Sequence, residues 1–250
     1  MVVLKTSREL AKMREAGRIS ANALKLAGQA VEPGVSTAEI DRVVRRYIEG
    51  QGAKPSFLGY GGFPASACIS VNDEVVHGIP SKKRILKSGD IVSIDVGAFI
   101  DGFHGDNAWT FACGDISAEA QGLLDATKES LYEGIKQAVA GNRIGAIGSA
   151  VQQYVEARSY SVVRDYVGHG VGAKLHEDPS VPNFGTPGRG VRLLPGMTIA
   201  IEPMINLGTH KVRVLDDDWT AVTADGKLSA HFEHSVAITA DGPVILTLAD

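Results

Sequence analysis

The spacing of apolar residues near the start of the chain predicts two amphipathic helices. Thr6-Ser7-Arg8-Glu9 has the capping-box spacing, and apolar residues then recur every three or four positions as far as Ala27. The box recurs at Ser36-Thr37-Ala38-Glu39, and the apolar stripe that follows it ends near Gly50. We therefore expect the chain to open with two helices.

The pattern changes after residue 55, where short β-branched runs are separated by Gly and Pro. These runs predict strands at 67–71, 90–99 and 106–112. Helical spacing returns in 117–140 and 146–158, and the chain from 160 onward again has the pattern of strands. The order of two helices followed by strands therefore occurs twice.

A constant offset of 107 residues aligns the two parts of the chain, so that Asp95 falls on Glu202. The same offset aligns Gly34 with Gly141, Ile40 with Ile147, Val44 with Val151 and Tyr47 with Tyr154. We expect one α+β domain over 1–250, with related halves at about 7–115 and 116–250. Strands of both halves would meet in one sheet with helices on one side and a site between the halves. The alternative is that a Gly-x-x-x-x-Ile-acid pattern recurs because it is a common turn before a strand.

Composition is that of a globular protein. The 250 residues include 44% hydrophobic residues, and 25 Lys and Arg against 29 Asp and Glu give a net charge of −4. This balance excludes a disordered chain and a general nucleic-acid binder, so DNA is not an expected partner. The sequence has no run of about 18 apolar residues, so we expect no membrane span. Charged residues are scattered through residues 1–17 and leave no apolar core for a signal peptide, so we expect a cytoplasmic protein.

The alternation of side chains along the predicted strands places a set of acidic residues opposite apolar faces or among small residues. Asp95 lies opposite the aliphatic face of its strand, and Glu202 stands in the same relation to the residues before it. Asp106 and Glu233 are each followed at alternate positions by small residues. Carboxylates on apolar strands without a neighbouring Lys or Arg are costly unless cations neutralise them. His169, between glycines, is the best candidate for an imidazole partner, and four acids with one imidazole could hold two divalent ions for metal-assisted hydrolysis.

These motifs resemble those of the type I methionine aminopeptidases, and the resemblance covers nearly the whole chain. The matching runs are His77-Gly78-Ile79-Pro80, Ser93-Ile94-Asp95-Val96-Gly97, His104-Gly105-Asp106, Gly168-His169-Gly170-Val171-Gly172, His176-Glu177-Asp178-Pro179, Ile201-Glu202-Pro203-Met204 and Phe232-Glu233-His234-Ser235. The resemblance implies the pita-bread fold, a pseudo-twofold α+β domain. It also implies that Asp95 binds one metal, that His169 and Glu202 bind the other, and that Asp106 and Glu233 bridge both.

The resemblance further implies an aminopeptidase that removes the N-terminal methionine of nascent polypeptides when the second residue is small. A water between two divalent metals would attack the first peptide bond, with Glu202 as the proton carrier. His176 would contact the scissile carbonyl or the oxyanion, and His77 would line the substrate channel. From the residues alone, a single histidine such as either of these is more often a partly buried, hydrogen-bonded structural residue. The ligand types suit manganese, iron, cobalt or zinc.

The methionine side chain would be held by an apolar pocket that the resemblance assigns to Tyr60, Phe63, Cys68 and Trp219. The chain departs from the usual family pattern at Asn107-Ala108-Trp109 and at Leu175, so the detailed shape of the pocket is not implied. Residues 202 and 233 are 31 apart whereas 95 and 106 are 11 apart, which predicts an additional hairpin. Its strands, at 212–214 and 219–223, would bring Trp219 to the cleft.

Two other interpretations stay open at this point. A proline-directed relative of the same fold, an Xaa-Pro aminopeptidase or dipeptidase, would share the five metal ligands. A non-catalytic binding protein would be expected to lose some of them. We expect a monomer with at most a transient ribosome contact, and we interpret the basic run Ser81-Lys82-Lys83-Arg84 as a solvated surface. The histidines at 104, 210, 231 and 234 receive no catalytic role, although those beside ligand segments could support them.

Overall fold

The computed structural model describes residues 2–250, in which helices cover the outer faces of antiparallel sheets. The α-helices of this range are α1 (Ser7–Gln29), α2 (Thr37–Gly50), α3 (Ala118–Lys136) and α4 (Ile144–Glu156). Within residues 2–250, no helix has both the length and the apolar character needed to cross a membrane.

The two predicted capping boxes set the starts of α1 and α2. The Thr6 N–H donates to Glu9 Oε2 at 2.7 Å, and the Glu9 N–H donates back to Thr6 Oγ1 at 3.3 Å. At α2 the Ser36 N–H donates to Glu39 Oε2 at 2.9 Å, and the helix ends at Gly50 as expected. The other two predicted helices are confirmed with shifted bounds, since α3 ends earlier than 140 and α4 begins earlier than 146.

The strands of the first part of the chain agree closely with the sequence pattern, and the second part is richer in short strands. In chain order they are β1 (Lys54–Pro55), β2 (Ala67–Val71), β3 (Glu74–Val76), β4 (Ile91–Ile100), β5 (Phe103–Ala112), β6 (Ser161–Val162), β7 (Gly168–Gly170), β8 (Glu177–Val181), β9 (Thr198–Ile201), β10 (Met204–Asn206), β11 (Val212–Val214), β12 (Ala221–Thr223), β13 (Ser229–His231), β14 (His234–Thr239) and β15 (Gly242–Ile245). A single 3₁₀ turn covers Tyr60–Gly62.

Hydrogen bonding divides the strands of residues 2–250 into four sheets, whereas the sequence predicted one. The two largest are β1-β4-β2, with β5 also paired to β4, and β15-β14-β9-β7-β8. The smaller ones are β13-β10-β6 and β11-β12-β3. The α+β class is confirmed. Strands of the two parts pair with each other in one of the smaller sheets, where β3 lies beside β12.

The principal contact between the two large sheets lies beside the predicted metal ligands. The Glu233 N–H donates to the carbonyl of Ala108 at 2.8 Å. The Asp106 N–H donates to Ser235 Oγ at 3.2 Å, and that hydroxyl donates to the Asp106 carbonyl at 2.8 Å. These bonds fix Asp106 of β5 against the segment that carries Glu233, although the two are far apart in sequence.

Two apolar cores support the large sheets from the helix side. Val92, Ile94 and Val96 are fully buried at 0% exposure and pack with α1 and α2, as the alternation along β4 predicted. In the other core, α3 and α4 pack on β9 and β14 through residues such as Leu131 and Ile199. Burial of each such side chain contributes about 1.5–3 kcal/mol. The two cores therefore stabilise the sheets that carry the acidic residues on their opposite face.

Helix α1 lies directly against β5 at a contact between two glycines. A Cβ added to Gly105 would lie 2.3 Å from the backbone nitrogen of Gly17, well inside van der Waals contact. Gly105 immediately precedes Asp106 on β5. The close approach of α1 and β5 therefore fixes the backbone next to Asp106, which faces the candidate site.

Candidate active site

All eleven residues predicted for the site line one cavity of about 340 Å³. They comprise the five predicted metal ligands, the two histidines and the four pocket residues: Asp95, Asp106, His169, Glu202, Glu233, His77, His176, Tyr60, Phe63, Cys68 and Trp219. Both large sheets contribute to the walls. The structure thus brings together every residue that the sequence analysis selected.

The β4–β5 ladder places the first two acids on one face. Asp95 lies opposite Ala108 and Gly97 lies opposite Asp106, so the two carboxyl groups are diagonal neighbours. This face is turned away from the aliphatic residues that pack under α1 and α2. A long, regular hairpin therefore supplies two acids at a fixed spacing.

The other three ligand candidates come from irregular backbone in the second part of the chain. Glu202 directly follows β9, His169 is the central residue of β7, and Glu233 lies between β13 and β14. The register of β7 with β8 shifts at Gly168 and Gly170, which flank His169. Irregularities of this kind change the direction of a side chain, and here the His169 side chain points to Asp106 on the β4–β5 face.

Three of the five candidates form a close cluster, in which one possible ligand atom from each of Asp106, His169 and Glu233 lies within 4.8 Å of the others. His169 Nε2 is 3.8 Å from Asp106 Oδ2 and 3.5 Å from Glu202 Oε1. Asp95 and Glu202 line the same cavity at the edge of this cluster. The arrangement gathers four carboxyl groups around one imidazole.

The carboxyl oxygens of this group fit divalent cations. Within residues 2–250, Asp95 Oδ1, Asp106 Oδ1 and Glu233 Oε1 are buried and accept no hydrogen bond. Buried carboxyl oxygens without a protein partner are expensive, and an ion is the partner that hard oxygen donors prefer. The set of oxygens with one nitrogen therefore has the chemistry to hold divalent metal ions.

The electrostatics of the cluster lead to the same conclusion. Burial, followed by the charge of neighbouring acids, raises the pKa of Asp95 and of Glu233 well above the usual range. Burial raises the pKa of Glu202 to about 8 and lowers the pKa of His169 to about 3. The imidazole is thus held neutral, as a metal ligand must be, while the carboxylates need nearby positive charge to stay ionised.

His176 and His77 both line the cavity that contains the ligand cluster. The His176 ring is 4.2 Å from the His169 ring, and its Nδ1 lies 2.7 Å from the hydroxyl of Tyr60. The His77 ring makes an edge contact with Tyr166 at 5.4 Å. Burial lowers the pKa of His77 to about 4, so this ring is neutral near pH 7.

The predicted apolar pocket is a packed cluster next to the acids. Phe63 and Cys68 are buried, and Trp219 packs edge-on against Phe63 at 5.1 Å. Tyr60 is 45% exposed and stands at the rim. Trp219 reaches this position from the turn between β11 and β12, not from a strand, because its N–H and that of Thr220 bind the Asp217 carboxylate.

The departures at 107–109 do not reshape the cavity. Asn107 and Trp109 lie on the helix side of β5, where the Ser20 hydroxyl donates to the Asn107 amide oxygen and Trp109 packs on Phe232. Leu175, in contrast, lines the cavity and belongs to the apolar cluster around Phe63. Of the unusual positions, Leu175 is therefore the one that contacts the pocket.

Two residues at the site had no role in the sequence analysis. His231 Nε2 lies 3.4 Å from Glu202 Oε2, and burial lowers the pKa of His231 to about 3. Tyr166 lines the cavity beside His77. The position of His231, two residues before Glu233, was a weak sequence signal that it lies near the site. Nothing in the sequence around Tyr166 indicates a role there.

Comparison of the sequence with protein-family profiles identifies the family of this protein. The profile described as metallopeptidase family M24 matches residues 11–240, which is most of the chain. The chain belongs to metallopeptidase family M24, within which it groups with the methionine aminopeptidases. It is accordingly a metal-dependent hydrolase of the aminopeptidase type.

Individual relatives match this chain over nearly its full length. The chain is 53% identical to the methionine aminopeptidase of Clostridium acetobutylicum, with 100% of both chains covered. It is 55% identical to methionine aminopeptidase 1 of Bacillus subtilis, with 99% of both covered. The crystal structure of methionine aminopeptidase from Thermotoga maritima superposes with a TM-score of 0.97 at 46% identity, covering 99% of each chain. The pita-bread fold expected from the sequence motifs is thereby confirmed.

Proposed function

We propose that Asp95, Asp106, His169, Glu202 and Glu233 hold two divalent metal ions, with Asp106 and Glu233 shared between them. The protein then removes an N-terminal methionine from peptides whose second residue is small. The observation that carries the proposal is the set of buried, unpartnered carboxyl oxygens beside a neutral imidazole. The names of the full-length relatives support the same activity.

The metal ions, when bound, would supply Lewis-acid polarisation of the peptide carbonyl and a water of lowered pKa. The protein contributes the positions of the groups around them. Glu202, with one oxygen 3.4 Å from His231 Nε2, is placed to hold or pass a proton at its carboxylate.

His176 is proposed to stabilise the oxyanion. The Tyr60 hydroxyl lies 2.7 Å from Nδ1, and we propose that it donates to this nitrogen, so that the ring proton is on Nε2. That N–H is then the donor left for an oxygen in the cavity. A preorganised donor at a developing oxyanion is worth about 3–4 kcal/mol of activation free energy.

The walls of the cavity support selectivity for methionine and for a small second residue. The pocket formed by Phe63, Cys68 and Trp219 is apolar and suits a flexible thioether. His77 and Tyr166, with ring centroids 5.4 Å apart, form a wall of the cavity next to Trp219, whose ring lies 6.4 Å from that of His77. We propose that this wall narrows the space for the second residue of the substrate.

The central test is cleavage of the peptide Met-Ala-Ser, with metal content measured by mass spectrometry on the same sample. We expect release of free methionine that is lost on chelation and restored by manganese, iron, cobalt or zinc. An Xaa-Pro peptide serves as the control for the proline-directed alternative. Faster cleavage of the Xaa-Pro peptide, or no cleavage of either with metal present, would contradict the proposal.

The setting of the activity is also proposed. We expect a cytoplasmic monomer that acts on nascent polypeptides and contacts the ribosome only transiently. Lys82, Lys83 and Arg84 are exposed, and Arg84 lies 3.7 Å from Glu74, which fits a solvated surface. We further propose that residues 1–250 form one catalytic domain of two related halves, because both parts of the chain supply ligands to one cavity.

A further inference from the structure

A buried ion pair joins the segment before α1 to the loop that carries His176. Lys5 Nζ lies 2.5 Å from Glu177 Oε2, and the two side chains are only 3% and 10% exposed. Burying two charges is costly, and such pairs are weak contributors to net stability. Its position next to a proposed catalytic histidine therefore suggests a purpose other than stability.

The Glu177 carboxylate closes the loop between β7 and β8. Its Oε1 accepts a hydrogen bond from the Lys174 N–H at 3.1 Å, while Oε2 faces Lys5. Gly170 pairs with Glu177 across the two strands, so residues 171–176 form the connection. With one oxygen used inside the loop and the other used by Lys5, the carboxylate attaches this connection to the start of the chain.

Lys5 is itself held in place. Its backbone N–H donates to the Gly196 carbonyl at 2.7 Å, and its Nζ also donates to the Val3 carbonyl at 3.2 Å. Thr6, the next residue, is the N-cap of α1. Because both the backbone and the ammonium group are anchored, Lys5 presents a fixed charge to the loop.

The ion pair lies directly over Gly172, where a side chain would have to displace the charged ends of Lys5 and Glu177. A Cβ at Gly172 would lie 2.6 Å from both Lys5 Cε and Glu177 Oε1. The Gly172 carbonyl accepts from the His104 N–H at 2.9 Å, which fixes the other side of the loop. The loop is therefore held between β5 and the ion pair.

We propose that Lys5 is a positioning residue for His176: its ion pair with Glu177 holds the loop 171–176 so that the His176 ring faces the cavity. This inference rests on the role proposed above for His176. It assigns a task in turnover to a lysine that does not line the cavity.

The test compares variants of the pair with an exposed pair of the same charges. Lys5→Met and Glu177→Gln remove one charge each, and Lys5→Arg keeps it. The matched controls are Arg45→Met and Glu49→Gln, which remove an exposed pair on α2 with a separation of 2.8 Å. Each variant is assayed on Met-Ala-Ser for kcat and KM, and its metal content and thermal midpoint are measured. Hydrogen–deuterium exchange over 171–178 reports the loop directly.

We expect kcat to fall by at least about tenfold in Lys5→Met and Glu177→Gln, with KM and metal content nearly unchanged. Exchange at 171–178 should be faster, Lys5→Arg should keep most of the activity, and the controls should match the wild type. Glu177→Gln preserves size and some hydrogen bonding, so it remains informative if Lys5→Met does not fold.

The proposal is overturned if a folded variant keeps its kcat, whether or not the loop exchanges faster. It is also overturned if kcat and metal content fall together. A wild-type protein that does not cleave Met-Ala-Ser would refute the proposed function instead, and the exchange measurement would still report whether the ion pair holds the loop.

Discussion

The hydroxyl of Tyr60 lies 2.7 Å from Nδ1 of His176, a contact that joins the rim of the apolar pocket to a proposed catalytic ring. Tyr60 was selected from the sequence as a pocket residue, yet the residue is 45% exposed. Its hydroxyl contacts His176 instead, and a hydroxyl that donates to Nδ1 would leave the ring proton on Nε2.

Tyr60→Phe removes this hydrogen bond while keeping the ring. A single hydrogen bond is worth about 1 kcal/mol, so kcat on Met-Ala-Ser should fall by about fivefold. Metal content should not change. Tyr47→Phe, on α2 away from the cavity, is the matched control, and equal kcat values for the two variants would remove Tyr60 from the positioning of His176.

Asp106→Ala or Glu233→Ala should reduce metal content more than His77→Ala does. A shared carboxylate supports both cations, and its loss also leaves them repelling with less negative charge between them. The measurement is the number of ions per protein by mass spectrometry after gel filtration, with His210→Ala as a control for histidine loss. Full metal occupancy in Asp106→Ala would show that the ligand assignment is wrong.

His176→Ala should lower turnover far more than it lowers metal binding. Loss of one donor at an oxyanion typically costs about 100- to 1000-fold in rate. Steady-state kinetics on Met-Ala-Ser, paired with metal analysis, would check this. Turnover equal to that of His210→Ala would make His176 a structural residue.

Substrate choice tests the cavity walls. We expect kcat/KM to be highest for Met-Ala-Ser, lower for Leu-Ala-Ser and very low for Met-Leu-Ser, because the second residue would meet the wall proposed at His77 and Tyr166. A missing methylene is worth only about 1–3 kcal/mol, so a norleucine peptide should still be cleaved.

Acetyl-Met-Ala-Ser belongs in the same series under one metal condition, and we expect it to resist cleavage because its terminus has no free amine. If the acetylated and free peptides were cleaved at similar rates, recognition of the amine would be wrong. Similar rates for Met-Ala-Ser and Met-Leu-Ser would instead show that the wall does not select the second residue.

Stability should depend on pH through Glu177. Burial alone would raise the pKa of this carboxyl, but hydrogen bonds from Lys5 and the Lys174 N–H lower it below its ordinary value of 4.5. Since the folded pKa is the lower one, the carboxylate stabilises the fold above about pH 4.5, and this contribution is lost as pH falls through the folded-state pKa.

Urea unfolding of wild type and Glu177→Gln between pH 7 and pH 3 measures the effect. The free energies of unfolding should differ by about 2 kcal/mol at pH 7 and converge in acid. The exposed pair variant Glu49→Gln should differ little from wild type at either pH. A difference for Glu177→Gln that is the same at pH 7 and pH 3 would contradict the ionic origin.

The parts of the fold that depend on local chemistry were predictable. Thr6 and Ser36 start their helices through side chains three residues away, a pattern visible in any single sequence. The end of α3 is different, because the Asn142 side chain donates to the Gln137 carbonyl at 2.9 Å and stops the helix. At α4, the Ile144 N–H donates to the Val191 carbonyl at 3.0 Å, so a distant loop takes the place of a capping side chain.

The same division applies to the site. Alternation along β4 was enough to place Asp95 opposite an apolar face, because a strand has a fixed period. Glu233 lies in a break between strands, and its position is set by the Ala108 carbonyl, which is far away in sequence. His231 and Tyr166 reach the site only through such tertiary contacts, which a sequence pattern does not contain.

The contact between Gly17 and Gly105 has a consequence for how a mutational scan of this protein would be interpreted. Since a Cβ at Gly105 would lie 2.3 Å from the Gly17 backbone, any substitution there moves β5 away from α1 and displaces Asp106. Activity-based selection would score Gly105 as severely as a metal ligand, although it carries no functional group. Only a measurement of metal content together with folding would distinguish a displaced ligand at this position from a lost one.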